Sequence, residues 1–131
     1  MVHVRIERNA QGAIVGFFAS GHAEYAPKGE DIVCAAVSAL TQTALLGLQH
    51  HIGIAVEVTI DDDAGELHCT LPTSLHETKA TYAQVILETM CTGIQAIAEQ
   101  YSAFVQLKEV TRDVPHEFAA FCNKKGRREH A

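Results

Sequence analysis

The sequence predicts an α+β fold in which two helices pack on one face of a mixed β-sheet, giving a two-layer sandwich. Three observations lead to this prediction. Two segments rich in β-forming residues, 2–8 and 13–20, are separated by a turn signal and form a hairpin. A long helical segment, a second hairpin, a second helix and a last strand then follow. Since the hairpin faces and the helix stripes have to bury one another, the order β-β-α-β-β-α-β indicates two layers around one core.

The individual elements follow from their apolar periods. Predicted strands cover residues 2–8, 13–20, 54–60, 66–71 and 102–110, and predicted helices cover residues 32–51 and 79–100. The first helix carries an apolar stripe at helical spacing: Val33, Val37, Leu40, Ala44 and Leu48. The predicted apolar side of the second helix comprises Tyr82, Val85, Ile86, Thr89, Met90, Gly93, Ile97 and Tyr101. Gly53 is expected to end the first helix.

Length and composition place limits on the kind of protein. A chain of 131 residues fits one domain, which we expect over residues 1–111, with a polar and poorly ordered tail over 112–131. No apolar run is expected to span a membrane, and no signal-peptide pattern opens the chain, so a cytoplasmic protein without membrane contact is predicted. The net charge of −6 argues against direct nucleic-acid binding and suits a basic protein partner.

The cysteines and the acidic residues indicate no metal site. The four cysteines, Cys34, Cys69, Cys91 and Cys122, show no paired spacing, so free thiols are expected and neither a metal nor another cofactor is predicted. Cys69 is expected on the core face of a strand, next to a surface His68. The acidic segment 61–65 lacks the ligand pattern of a calcium loop after its glycine and is interpreted as a solvated hairpin turn.

Cys34 lies where a reactive thiol is expected. If Asp31 is the N-cap of the first helix, Cys34 is the third helical residue, where the helix dipole favours a thiolate. His22 follows the second strand and would accept the proton. The alternative is that Cys34 is a small buried hydrophobe and His22 an ordinary turn residue. Residue types alone leave both interpretations open.

Two neighbouring features also have two interpretations each. The segment 24–30 contains Pro27 and Gly29 and is either a mobile flap over the site or an ordinary strand-to-helix connection. Ser38 follows Cys34 by one helical turn. Its hydroxyl either approaches the sulfur, or the small side chain lets the helix pack closely against the sheet, which we prefer.

Two strings in this region resemble a known family. Gly21-His22-Ala23, followed by Gly29-Glu30-Asp31-Ile32-Val33-Cys34-Ala35-Ala36-Val37-Ser38, resembles the hallmark of the ribosomal-processing cysteine protease family Prp. The resemblance covers residues 1–111. It implies that Cys34 is the nucleophile and His22 the general base, and that Asp31 caps the helix or orients His22. Gly21 and Gly29 would let a flap approach the substrate and move.

The resemblance also implies a substrate and an assembly state. Members of the family remove a short N-terminal extension from ribosomal protein L-twenty-seven of the large subunit, next to aromatic residues, and a homodimer is implied. A different class of function is a non-catalytic ribosome-assembly or protein-interaction module, which would need no reactive thiol. A thiol redox protein is disfavoured because no resolving cysteine stands near Cys34.

Overall fold

The architecture has the predicted order of strands and helices. A computed structural model describes residues 1–21 and 29–113. The strands are β1 (Val2–Arg8), β2 (Ile14–Ser20), β3 (Glu57–Asp61), β4 (Glu66–Thr70) and β5 (Val105–Thr111). The helices are α1 (Glu30–Leu46), which continues as a π-helical segment (Gly47–Ile52), and α2 (Glu77–Gln100). The predicted α+β class and two-layer arrangement are confirmed.

The five strands form one mixed sheet in the order β3-β4-β2-β1-β5. Neighbouring strands are antiparallel except β1 and β5, which run parallel with Val2 opposite Val105. A parallel pair requires a long crossover connection, and α2 lies in that connection. β3 is an edge strand on one side of the sheet, and β5 is the edge strand on the other.

One face of the sheet and one stripe of each helix form the core. Strand residues alternate, so Val2, Val4 and Ile6 of β1 are buried while His3 on the opposite face is exposed. The predicted stripe of α1 is confirmed at its buried members Val33, Val37, Ala44 and Leu48, and Leu40 is half-buried against the core. At the end of this stripe Gly53 adopts a φ of 78°, which confirms it as the C-terminal cap.

The predicted apolar side of α2 is confirmed only in part: Met90 is buried, and Ile86 and Ile97 pack against the core, but the rest of the buried side is different. The buried residues of this helix are Ala80, Ala83, Gln84, Leu87, Met90, Cys91 and Ile94, whereas Tyr82 and Val85 are 58% and 57% exposed. The reason is a polar residue in the core: Gln84 accepts a hydrogen bond from the Ile14 amide at 2.9 Å and donates one to the Ile14 carbonyl at 2.8 Å. Because both backbone groups are satisfied, burial of Gln84 is favourable, and the small alanines beside it allow close packing on the sheet.

Several element ends differ from their predicted positions. β3 begins at Glu57 because the Ile54 amide still donates to the Leu48 carbonyl at 2.9 Å and so belongs to the end of the helix. α2 begins two residues early, at Glu77, because Nδ1 of His76 caps it by accepting from the Thr78 amide at 3.2 Å. Before β5, residues 101–104 form a turn in which the Phe104 amide donates to the Tyr101 carbonyl.

One helical segment meets the length and composition criteria for a membrane span. The segment Glu30–Ile52 has 23 residues and a mean hydropathy of 1.6, so the prediction that no apolar run is long enough does not hold on these criteria alone. A third of this window is buried inside the fold, including the core stripe through Val33 and Val37. Core helices of soluble domains meet the same criteria.

Candidate active site

Cys34 lies near the start of α1, but the helix begins earlier than predicted. Its N-cap is Gly29, at a φ of 101° that disfavours other residues, and the Gly29 carbonyl accepts from the Val33 amide at 3.3 Å. The prediction that Asp31 caps the helix is therefore wrong: Asp31 is an exposed residue of the first turn, and no side chain caps this end. Cys34 is the fifth helical residue instead of the third.

The end of β2 lies directly against the sulfur of Cys34. A Cβ atom placed on Gly21 would be 3.3 Å from Sγ of Cys34 and 3.1 Å from Cγ2 of Val2. The Gly21 amide donates to the carbonyl of Gly65 at 3.1 Å, which fixes this residue beside the β3–β4 turn. Two of the predicted site residues, Gly21 and Cys34, are thus brought together by the fold, and glycine is required by the close approach.

Charges at the start of α1 act against a thiolate. Burial raises the pKa of the Cys34 thiol, the carboxylates of Glu30 and Asp31 raise it further, and the positive amino group at Met1 lowers it by less. Glu30 is buried, and its carboxylate pairs with that amino group. Among the described residues, the predicted depression of the Cys34 pKa is therefore not found. First-turn carboxylates interact favourably with the helix dipole, but they disfavour a second negative charge beside them.

The predicted proton acceptor and most of the predicted flap lie outside the described residues. These are His22 and residues 24–28 of the segment 24–30. Gly29 at the end of that segment is described, and a Cβ atom placed there would lie 3.6 Å from the ring of Phe104. Positive φ, not crowding, is therefore what requires a glycine at this end of the loop.

Ser38 lies one turn beyond Cys34 and is half-buried. Its carbonyl accepts from the hydroxyl of Thr41 at 3.2 Å, whereas within residues 1–21 and 29–113 its own hydroxyl forms no hydrogen bond to the sulfur. A small residue here is compatible with close helix packing, the interpretation preferred from the sequence.

The other described cysteines differ from Cys34 in their surroundings. Cys69 and Cys91 are 1% and 2% exposed, and burial raises their pKa values to about 12 and about 11. Both are free thiols, as predicted, and both pack in the core. Cys34 is half-buried and is the most accessible of the three described thiols. Cys122 lies outside the described residues.

A charged cluster on the far face of the sheet was missed by the sequence reasoning. Glu7 is 3% exposed, and its carboxylate contacts Arg112 at 2.8 Å, Arg5 at 3.0 Å and His68 at 3.2 Å. The predicted surface residue His68 is thus half-buried and partnered. Gly16 makes this possible, because a Cβ atom there would lie 2.7 Å from Oε1 of Glu7. Gly16 lies opposite Glu7 in the β1–β2 hairpin. This pairing of a glycine with a carboxylate is the sequence feature that could have indicated the cluster.

The site as described offers one accessible sulfur at a helix start and no metal centre. Over residues 1–21 and 29–113, no group of three or more His, Cys, Asp or Glu side chains is arranged to hold a metal ion. The first turn of an α-helix carries backbone amides without an intrahelical partner, and such amides can bind an anionic group. A cysteine near a helix N-terminus is therefore suited to acyl transfer.

The fold and the placement of this cysteine define a small α+β cysteine protease. More specifically, the chain belongs to the Prp family, because residues 1–106 match the family model described as "Cysteine protease Prp". A relative named "Ribosomal processing cysteine protease Prp", from Staphylococcus aureus, is 32% identical over 110 residues, covering 82% of this chain and 97% of the relative.

Solved structures agree with this assignment. The S. aureus ribosomal processing protease Prp in complex with a substrate peptide is 28% identical, with a TM-score of 0.75, covering 84% of this chain and 100% of that one. The same protease in complex with a covalently linked product peptide is 29% identical, with a TM-score of 0.71 and the same coverage. The resemblance of the two strings to this family is thereby confirmed.

Proposed function

We propose that this protein is a cysteine endopeptidase that removes the N-terminal extension of a large-subunit ribosomal protein of the L-twenty-seven type. The observation that carries the proposal is the accessible sulfur of Cys34, held at the start of α1 with Gly21 against it. Membership of the Prp family supports the reaction class. Of the S. aureus relative, complexes with a substrate peptide and with a covalently linked product peptide are known, which supports covalent catalysis on a peptide.

In the proposed reaction, Sγ of Cys34 attacks the carbonyl carbon of the scissile peptide bond while His22 takes the thiol proton. Because burial and the charges of Glu30 and Asp31 raise the pKa of the Cys34 thiol, they favour its protonated form, and proton transfer to His22 has to accompany or precede attack. First-turn backbone amides of α1 then stabilise the oxyanion. His22 returns the proton to the leaving amine, and water hydrolyses the thioester to regenerate the thiol.

The proposed roles of the neighbouring residues follow from their positions. Gly21 leaves room beside the sulfur, and Gly29 provides the positive φ at which the loop enters α1. Asp31, which does not cap the helix, is free to orient His22. Ser38 supports the packing of α1 behind the nucleophile.

The proposal also covers the partner, the cellular location and the oligomeric state of the enzyme. A net charge of −6 complements a basic ribosomal protein and disfavours direct contact with nucleic acid. We place the enzyme in the cytoplasm, where ribosomal proteins are made, and propose that it acts as a homodimer.

The test is incubation of the protein with the precursor of the ribosomal protein, followed by mass spectrometry. The expected result is loss of the extension at one position next to an aromatic residue by the wild-type protein. Cys34→Ser should lose at least about three orders of magnitude in rate, because a hydroxyl without a strong base is a poor nucleophile. Binding of the precursor without cleavage by either form would contradict the proposal and indicate an interaction module.

A further inference from the structure

A cavity beside the candidate active site is lined by apolar residues on its floor and one wall and by acidic residues at its rim. It has a volume of about 360 Å³ and lies between α1 and the β3–β4 hairpin. Its floor is a row across three strands, since Leu67 of β4 pairs with Ala19 of β2 and with Ile60 of β3. The apolar wall opposite is formed by Leu45 and Leu46 of α1.

The rim of this cavity is acidic. Asp61, Asp62 and Glu66 line it, and among residues 1–21 and 29–113 no lysine or arginine lines it with them. In the part of the chain that the structure describes, none of these three carboxylates forms an ion pair with a basic side chain. Their negative charges can therefore interact with a charged group of a ligand that enters the cavity.

Two large apolar side chains of the cavity are exposed to solvent. Ile60 is 60% exposed and Leu46 is 52% exposed. α1 packs more closely on α2 than on β3 and β4, so the helices described by the structure do not fully cover this part of the inner sheet face. Exposed apolar surface that is rimmed by charge is typical of a binding groove.

The cavity adjoins the nucleophile through two glycines. Gly65 lines the cavity, and its carbonyl accepts the hydrogen bond of the Gly21 amide at 3.1 Å. Gly21 in turn lies against Sγ of Cys34. A peptide in extended conformation advances about 3.3–3.6 Å per residue, so a segment bound at the sulfur reaches the cavity within a few residues.

We infer that this cavity is a specificity subsite that takes an apolar side chain of the peptide substrate, with a neighbouring lysine or arginine of the peptide held by the acidic rim. The inference rests on the proposed function, since it concerns the same site. Charge complementarity identifies the occupant: the walls accept an aliphatic or aromatic side chain, and Asp61, Asp62 and Glu66 accept a cation. The subsite selects extensions in which apolar and basic residues alternate closely.

The role of the acidic rim is tested by measuring the affinity of peptides for the protein, because peptide binding does not require cleavage. Two fluorescent peptides of about twelve residues are compared, one with apolar residues and two lysines and one with both lysines replaced by glutamine. On full-length Cys34→Ser protein at low salt, we expect the lysine peptide to bind about threefold to tenfold more tightly by fluorescence anisotropy. Adding Asp62→Asn and Glu66→Gln should reduce this preference to less than about twofold.

The matched control removes two negative charges elsewhere. Glu57→Gln and Glu99→Gln are exposed and do not line the cavity, so the preference for the lysine peptide should persist in that variant. Equal affinity of the two peptides for the parent protein, or equal losses in the rim variant and the control, would overturn the inference. Because wild-type cleavage of the precursor is assayed separately, failure of the proposed function and failure of the subsite are distinguishable.

The apolar wall has its own test. Ile60→Thr keeps the β-branched shape on the edge strand and should weaken binding of both peptides by about threefold or more, whereas Val85→Thr, equally exposed on α2 and away from the cavity, should not. If Ile60→Thr changed the oligomeric state in sedimentation and left peptide affinity unchanged, the groove would be an interface between copies of the chain and the inference would be wrong.

Discussion

Gly21 and Cys34 face each other across the junction of β2 and α1, and a side chain on Gly21 would crowd the sulfur. A Cβ atom there would lie 3.3 Å from the sulfur and 3.1 Å from a methyl group of Val2. β2 therefore ends beside the sulfur of Cys34, and Gly21, the first residue of the hallmark Gly-His-Ala string, directly follows this strand. Conformation is not the reason for glycine here, because Gly21 is not among the glycines with positive φ.

Gly21→Ala is expected to reduce peptide cleavage by at least about tenfold, because the added methyl group has to displace the sulfur or Val2 by a few tenths of an ångström. Stability should fall by about 1 kcal/mol. Initial rates and thermal unfolding measure the two effects. The control is Gly93→Ala, where the new Cβ meets only the flexible end of Leu40 at 3.2 Å and activity should remain. Full activity of Gly21→Ala would show that the contact has no catalytic role.

Asp31→Asn is expected to lower the pKa of Cys34 towards its ordinary value. Asp31 raises this pKa by charge, so removing the charge favours the thiolate. The pH profile of iodoacetamide labelling at Cys34 should shift to lower pH, and labelling at neutral pH should become faster. Glu99→Gln, distant on α2, should leave the profile unchanged. A shift to higher pH would mean that Asp31 acts on the thiolate through another group, such as His22.

His22→Ala should lose activity and should raise the pKa of Cys34. In the proposed mechanism His22 accepts the thiol proton and, once charged, stabilises the thiolate. The measurements are precursor cleavage and site-specific alkylation of Cys34 against pH, with the buried Cys69 and Cys91 as slow internal references. Loss of activity with an unchanged alkylation profile would limit His22 to protonation of the leaving amine.

The order of the elements and the location of Cys34 near the start of the first helix could be predicted from the sequence, because both rest on local signals. Alternation in β1, the helical stripe through Val33 and Val37, and Gly53 at the helix end all act within a few residues. The roles proposed for the other site residues come from the resemblance of the two strings to the family. The two-layer arrangement follows because the hairpins and helices have to bury their apolar faces against one another.

Two features that the sequence did not predict, the buried side of α2 and the charged cluster at Glu7, depend on partners that are distant in the sequence. The buried side of α2 is set by hydrogen bonds between Gln84 and the backbone of Ile14, which are 70 residues apart. The pKa of Cys34 is raised by burial and further by the nearby charges of Glu30 and Asp31, whereas the helix dipole alone suggested the opposite direction. The charged cluster at Glu7 needs Arg112, which is 105 residues away. The apolar periodicity of the sequence indicates none of these interactions.

The final prediction concerns stability and pH at the Glu7 cluster. Burial raises the pKa of Glu7, but hydrogen bonds and charge from His68, Arg5 and Arg112 outweigh it, so the pKa lies below the ordinary value of 4.5. A depressed carboxyl pKa contributes stability that is present above the ordinary value and is lost as pH falls through the lowered one. Glu7→Gln should therefore destabilise the fold by about 1–3 kcal/mol at pH 7, because it leaves a buried polar site without its charge.

The difference in unfolding free energy between wild type and Glu7→Gln should shrink as pH falls from 4.5 through the lowered pKa of Glu7, since wild-type Glu7 becomes neutral as well below that pKa. Denaturant titrations of both proteins between pH 3 and pH 7 measure it. Glu57→Gln, an exposed carboxylate on the edge strand β3, is the matched control and should change stability by less than about 0.5 kcal/mol. A difference that stays constant down to pH 3 would show that Glu7 acts by packing, and that the charges of Arg5, His68 and Arg112 contribute nothing to the fold.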